Sequence, residues 1–181
     1  MKLKKLNPQL MQRMVTLLIL IAIMIILASI NGDYLSARNL LNIFRQESTV
    51  IIIACAATML MISGGMDLSP AGVMALTSVV YAKLCVAGIG MVPAMLLALF
   101  VGAVSGAFSG ALVTLANVPP MIATLGTWYI TKGLGYVISD SYAIVQGLPD
   151  NFGWANRYIG PIPIMVILAA GFFIIFYLLL N

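Results

Sequence analysis

The sequence is dominated by long apolar runs that short polar or glycine- and proline-containing segments separate. With 62% hydrophobic and only 8% charged residues, the chain is far more apolar than a soluble domain. A helix needs about 20 apolar residues to cross a hydrocarbon core, and the runs do not alternate as the strands of a membrane barrel do. We therefore predict an all-α, polytopic transmembrane helical bundle with about six spans. Their predicted ranges are 14–30, 48–62, 70 to about 87, 92 to about 116, 121–138 and 161–180.

The positive charge is concentrated before the first run. Lys2, Lys4, Lys5 and Arg13 carry most of the net charge of +4, and by the positive-inside tendency they hold residues 1–13 in the cytoplasm. No aromatic-basic platform accompanies them, so we expect no nucleic-acid partner. The first run is longer than a signal-peptide core and lacks a small-x-small cleavage site, which indicates an uncleaved anchor. One transmembrane domain, residues 1–181, is expected.

Residues 36–47 follow the first run and are amphipathic. Leu40, Leu41 and Phe44 recur at helical spacing, and Ser36 is suited to cap a helix start. This pattern predicts a short helix lying at the outer membrane surface. An ordinary connecting loop is the alternative.

Residues 63–70 break an apolar stretch with two glycines, a carboxylate and a proline. Irregular backbone is tolerated in a membrane protein only where protein buries it, where it lines a cavity, or where the chain has reached the surface. Gly64 and Gly65 permit a sharp turn or close helix contact, and Asp67 stands where it would cap the following helix, accepting backbone N–H groups beside Ser69 and Pro70. A gate or pathway element is the second interpretation. Whether the break lies at the cytoplasmic surface or inside the membrane stays open.

The fourth run carries a ridge of small residues. Gly102, Gly106 and Gly110 are four apart and share one helix face, which favours close helix–helix packing. The alternative is a polar path lined by Ser105 and Ser109.

The fifth run is unusually polar. Thr124, Thr127, Trp128 and Thr131 recur at steps of three and four, and Lys132 lies near the same stripe. A charge at this depth normally faces the bundle interior, a water-filled cavity or a counter-ion. The stripe therefore predicts a pathway for a polyhydroxylated solute. In the other interpretation the threonines bond to their own helix carbonyls and Trp128 fills space.

Several kinds of chemistry are excluded by what the sequence lacks. There is no histidine, and no G-x-x-x-x-G-K-[ST] loop that would bind ATP. Cys55 and Cys85 lie in apolar segments and suggest neither a disulfide framework nor a metal site. We expect a non-enzyme without catalytic residues, metal or cofactor. The polar segment 139–160 is expected outside, as a docking loop.

Three blocks, in this order and spacing, resemble the membrane permease subunits of ribose-type bacterial ABC sugar importers, the inner-membrane component of binding-protein-dependent transport systems. They are residues 59–69, the ridge from Gly102 to Gly110, and residues 119–127 followed by Lys132-Gly133-Leu134. The similarity covers nearly the whole chain beyond about residue 35.

The resemblance implies a multi-pass protein of the bacterial inner membrane. A second permease subunit, identical or different, would complete the path for a pentose, hexose or related small polyol-like solute. Membrane lipid would surround both subunits. Separate ABC ATPase subunits would drive transport, and a periplasmic sugar-binding protein would deliver the solute. Such permeases are usually much longer, so the chain corresponds to the N-terminal portion of the family domain, and whether 181 residues are the full product stays open.

Two other classes remain as alternatives. A secondary transporter or channel would need no ATPase, but it predicts a repeat between halves that the sequence does not show. A truncated, non-transporting membrane protein is the second. The identity of the sugar cannot be read from the sequence.

Overall fold

The computed structural model describes residues 8–180 and is mostly helical, with very little strand, which confirms the predicted all-α class. A 3₁₀ helix at Trp154–Asn156 and a two-stranded antiparallel hairpin, β1 (Tyr158–Ile159) and β2 (Ile162–Pro163), lie between the last two helices. The predicted basic residues Lys2, Lys4 and Lys5 fall outside the described residues. The helices are α1 (Pro8–Ile30), α2 (Ala37–Ile62), α3 (Pro70–Val86), α4 (Met91–Thr114), α5 (Pro120–Ser139) and α6 (Ile164–Leu180).

Three of these six helices are long and apolar enough to cross a membrane, namely α1, α2 and α4. The apolar helices α3 and α6 have 17 residues each, which at 1.5 Å per residue gives about 25 Å, somewhat less than a hydrocarbon core. The 20-residue helix α5 is more polar because of its threonines, glycines and lysine.

The described residues form two compact units, one ending at Glu47 and the other beginning at Ser48. In the first unit, α1 exposes apolar side chains along its length. Its hydroxyls bond to their own helix, since Thr16 donates to the Gln12 carbonyl at 3.0 Å and Ser29 to the Ile26 carbonyl at 2.7 Å. Such local bonds leave a helix free of unsatisfied polar groups in an apolar medium.

The separate surface helix expected at residues 36–47 is wrong, because this stretch is the first part of α2. No glycine or proline lies between Ala37 and Ile62, so nothing interrupts the helical hydrogen bonds. The predicted cap is present: the Ser36 hydroxyl accepts the backbone N–H of Asn39 at 3.2 Å. The amphipathic pattern therefore begins a continuous 26-residue helix.

The second unit is built around α3, which packs against both α4 and α5. Gly72 lies against Trp128 and Thr131, and one turn later Leu76 lies against Gly135. Residue numbers rise together on both helices, so α3 and α5 run parallel. Their contact is backbone-close, since a Cβ added at Gly135 would sit 3.6 Å from the Leu76 Cα.

At the other end of the pair, the last turn of α3 reaches the residue that ends α5. Lys83 Nζ lies 3.5 Å from Asp140 Oδ2, and Asp140 has a left-handed backbone with φ 55°. Both side chains are largely exposed, so this ion pair adds little stability. The following segment packs back on α3, where the rings of Phe152 and Tyr81 stack with centroids 4.9 Å apart.

Small side chains make up most of the buried interior. Close helix contact in a membrane depends on such residues, because they let backbones approach and increase van der Waals contact. The buried apolar residues are Leu76, Ala82, Cys85, Ala94, Ala98, Ala123 and Ala169.

We predict that Gly72→Ala destabilises the bundle. Its Cβ would overlap the Trp128 carbonyl oxygen and lie 2.6 Å from the Thr131 Oγ1, so α3 and α5 must separate at a cost of about 1–3 kcal/mol. Thermal unfolding of the purified protein in detergent measures this loss.

The matched control is Gly126→Ala on α5, where an added Cβ meets no heavy atom within 4 Å among the described residues. It should be neutral or gain up to about 1 kcal/mol from helix propensity. Equal stability of the two variants would contradict the close contact.

Candidate functional site

The break at residues 63–70 begins with a defined helix end. The Gly65 N–H donates to the Leu60 carbonyl and the Gly64 N–H to the Met61 carbonyl, each at 3.0 Å. Gly64 has φ +82°, the left-handed conformation that a Schellman motif requires and that glycine adopts without strain. The first glycine of the motif therefore terminates α2.

The carboxylate of the break orders the entry to α3. Asp67 Oδ1 accepts the backbone N–H of Ser69 at 2.8 Å, while Ser69, the residue before the helix, makes no side-chain cap bond. Pro70 is the first helical residue and has no N–H to satisfy. The predicted acceptor role of Asp67 is therefore present for one backbone N–H, that of Ser69, which is the residue before the helix and not part of its first turn.

A cavity of about 230 Å³ lies beside the break. The end of α2, the break, the last turns of α4 and the first turn of α5 all contribute to its wall. We name it the break cavity, and it is lined by Leu60, Gly65, Met66, Asp67, Gly106, Ser109, Gly110, Val113, Thr114, Pro120 and Thr124.

The glycines of the α4 ridge have different surroundings. A Cβ at Gly102 would lie 3.4 Å from Thr77 Cγ2 and 3.8 Å from Val73 Cγ1, so this glycine packs against α3. At Gly106 and Gly110 an added Cβ meets no heavy atom within 4 Å among the described residues, and both line the break cavity. A packing role for these two stays a prediction.

The threonines of α5 are nearly inaccessible, at 4% exposure or less. Thr127 Oγ1 donates to the Ala123 carbonyl at 2.9 Å, and Thr131 Oγ1 donates to the Thr127 carbonyl at 2.7 Å. Thr124 Oγ1 bonds to the Pro120 carbonyl at 2.8 Å and also lines the break cavity. These bonds are those of the second interpretation, in which the hydroxyls serve their own helix.

Trp128 and Lys132 lie on a neighbouring strip of α5, together with Tyr136. Lys132 Nζ is 5.7 Å from the centroid of the Trp128 ring and 6.0 Å from that of Tyr136. Each ring is one turn from the lysine along the helix, and their faces attract the ammonium group. The positive charge of Lys132 is therefore in contact with the Trp128 and Tyr136 rings of its own helix.

Some of the predicted site residues lie far apart in the sequence but line the same cavity in the structure. Gly65, Asp67, Gly106, Gly110 and Thr124 share one cavity, although three different segments of the chain supply them. Trp128 and Lys132 do not line it, and neither do the buried Thr127 and Thr131.

Sequence reasoning missed two residues. Gly72 carries the α3–α5 contact, and no repeat on its own helix marks it. Tyr136 contacts Lys132, and its spacing of four from the lysine was the available signal.

A larger cavity of about 700 Å³ lies on another side of α3. Mostly apolar side chains of α2, α3 and α4 line it, with Trp154 and Met165 nearby, and Gly102 is the predicted site residue that it includes.

A bundle of apolar helices with a glycine break and a small cavity that holds a few polar groups is typical of membrane transport proteins. Residues 39–181 match the family described as "Branched-chain amino acid transport system / permease component". The chain belongs to this family of permease components and is a multi-pass protein of the inner membrane.

Relatives with transport names resemble it over most of its length. A fructose import permease of Bifidobacterium longum is 35% identical over 82% of this chain and 44% of its own length. A ribose import permease of Bacillus subtilis is 34% identical over 94% of this chain and 54% of its own length. A D-allose transport system permease of Escherichia coli is 36% identical over 83% of this chain and 47% of its own length.

The chain thus spans about half the length of the curated relatives it matches. Its resemblance to permease subunits of ribose-type ABC sugar importers is confirmed. These relatives are transport subunits, not enzymes. No solved structure matches the chain.

We predict that Asp67 acts at the break through its hydrogen bond and not through its charge. Asp67→Asn retains an oxygen acceptor for the Ser69 N–H, whereas Asp67→Ala removes it and should destabilise the entry to α3 by about 0.5–2 kcal/mol. Thermal unfolding of both variants beside the wild type is the measurement. A loss as large in Asp67→Asn as in Asp67→Ala would assign the effect to the charge.

Proposed function

We propose that this chain is a permease component of an ATP-binding-cassette importer and helps to form the translocation path for a sugar or related small polyol-like solute. Fructose, ribose and allose permeases that are 34–36% identical to it support this solute class. That three relatives named for monosaccharides align over more than four-fifths of the chain is the observation that carries the proposal.

The partners follow from this assignment. A second permease subunit, identical or different, completes the path, ABC ATPase subunits on separate chains hydrolyse ATP, and a periplasmic binding protein delivers the solute. Directionality then comes from the different affinities of two conformations for the solute. Residues 1–181 belong to one transmembrane permease domain and correspond to the N-terminal portion of the longer family domain.

We place the N-terminus in the cytoplasm because Lys2, Lys4, Lys5 and Arg13 precede the first span. Alternate crossing by the six helices then puts the break cavity at the cytoplasmic end of the bundle. The segment between α5 and α6 lies outside, where a binding protein would dock.

Among the predicted pathway residues, geometry favours Thr124, which lines the break cavity. Trp128 and Lys132 remain candidates on the adjoining strip of α5. Burial against neighbouring helices gives less support to Thr127 and Thr131, which are 1% and 4% exposed. Gly64, Gly65, Asp67 and Ser69 form the helix break at the same end.

A branched-chain amino acid is the second candidate solute, because the family description names one. A zwitterion would require both a cation and an anion at its binding site. The break cavity has one carboxylate and, among the described residues, no lysine or arginine in its wall, which favours the neutral solute.

We predict that the chain co-purifies with an ATPase subunit and that the complex, in liposomes with its binding protein, hydrolyses ATP faster when a sugar is present. D-Ribose, D-fructose and D-allose are the sugars to compare, with L-leucine beside them. Stimulation by L-leucine alone would select the amino acid, and uptake that persists without any ATPase would identify a secondary transporter.

We predict that Thr124→Val and Trp128→Ala each impair sugar uptake while the amount of protein in the membrane is unchanged. The matched control is Thr58→Val, since the Thr58 hydroxyl also donates to a carbonyl of its own helix, that of Ala54 at 2.7 Å, but lies outside the break cavity. Uptake that stays normal in both test variants would remove this part of α5 from the path.

A further inference from the structure

We propose that the break cavity is a recognition subsite for the hydroxyl groups of the solute, with Ser109 and Asp67 as its polar partners and Gly106 and Gly110 keeping it open. The proposal rests on the proposed function, since it takes the solute to be a small polyhydroxylated molecule. It assigns a specific binding position within the proposed path.

Ser109 provides the main argument. It is 5% exposed, and its Oγ is buried without a hydrogen-bond partner among the described residues. One turn earlier on the same helix, Ser105 Oγ donates to the Val101 carbonyl at 2.8 Å. A buried hydroxyl left without a partner is destabilising, so Ser109 has an unused donor and acceptor beside the cavity that it lines.

The ridge glycines define the space. Gly106 and Gly110 flank Ser109 in sequence, line the cavity, and have no described heavy atom within 4 Å of an added Cβ. A larger side chain at either position would occupy room that a solute needs. The glycine repeat of α4 thus has two roles: Gly102 allows close packing against α3, and Gly106 and Gly110 leave room for the break cavity.

The charges around the cavity disfavour an anionic ligand. Asp67 is the carboxylate of the described cavity wall, and no lysine or arginine accompanies it there. Helices α2 and α4 end at this cavity and α5 begins there, so the positive dipole end of α5 partly offsets the negative ends of α2 and α4. Among the described residues no acidic or cysteine cluster suited to a metal ion is present. A hydroxyl group, which both donates and accepts, fits a carboxylate and a serine together.

The size limits the ligand. A volume of about 230 Å³ lies below the range of about 300–1,000 Å³ that is usual for drug-sized ligands. The subsite therefore accepts a small polyol or one end of a monosaccharide.

The first test measures occupancy without transport. Ser109→Cys, in a chain whose own cysteines are replaced by Cys55→Ser and Cys85→Ala, is exposed in membranes to a small methanethiosulfonate reagent. We expect at least one of D-ribose, D-fructose and D-allose to slow its modification about threefold or more, and L-leucine to have no effect. The control Ser105→Cys should react at the same rate with and without sugar. If no sugar slows the reaction at position 109, or if both positions respond equally, the subsite is refuted.

The second test uses uptake by cells. Ser109→Ala should raise the half-saturating sugar concentration about threefold to tenfold, the loss expected for one hydrogen bond, while Ser105→Ala leaves it unchanged. Gly106→Leu should reduce uptake about tenfold or more by filling the cavity. Its control is Gly133→Leu, which is equally open among the described residues and outside the cavity.

These results separate the two proposals. If the wild-type chain takes up sugar but sugar does not slow the modification of Ser109→Cys, the importer proposal stands and the subsite is refuted. If sugar slows the modification of Ser109→Cys but the protein contributes nothing to sugar uptake, the subsite stands and the proposed function is refuted. Should Gly106→Leu fail to accumulate, the Ser109 variants still decide.

Discussion

The parallel contact between α3 and α5 at Gly72 determines how the second unit is organised. No Cβ fits there, because the Trp128 backbone and the Thr131 hydroxyl already occupy the space. Parallel helices that touch this closely must begin at the same end of the bundle, and both follow an irregular stretch of chain, the break before Pro70 and the turn before Pro120. The cavity beside the break is a consequence, since its wall comes from the break, the first turn of α5 and the ends of α2 and α4.

The break at residues 63–70 is tolerated because backbone N–H groups there have hydrogen-bond partners. The N–H groups of Gly64 and Gly65 bond to carbonyls of the last turn of α2. Asp67 accepts the N–H of Ser69. Pro70, the first residue of α3, has no N–H that would need a partner. Within α5, the threonine hydroxyls donate hydrogen bonds to carbonyls of their own helix. The described chain therefore leaves few polar groups without partners, and Ser109 is the exception that faces the break cavity.

The sequence was sufficient to predict the helical class and most helix limits, because apolar length and the Gly64 and Pro70 signals act locally. It was insufficient at residues 36–47, where amphipathicity suggested a separate helix although no residue interrupts α2. Pair contacts such as Gly72 with Trp128 depend on how distant helices align, and one helix's pattern does not contain that information. For the same reason the ridge suggested one role for three glycines, whereas only Gly102 packs against α3 in the described residues.

The central claim is that a mostly apolar cavity beside a helix break, with Ser109 and Asp67 in its wall, lies on the path of a small neutral solute. The most direct measurement is a cryo-electron microscopy map of the assembled importer with sugar bound. The account predicts sugar density in the break cavity, within about 2.7–3.2 Å of the Ser109 hydroxyl and the Asp67 carboxylate. Side chains of another subunit filling the cavity and bonding to Ser109, with the sugar elsewhere, would contradict it.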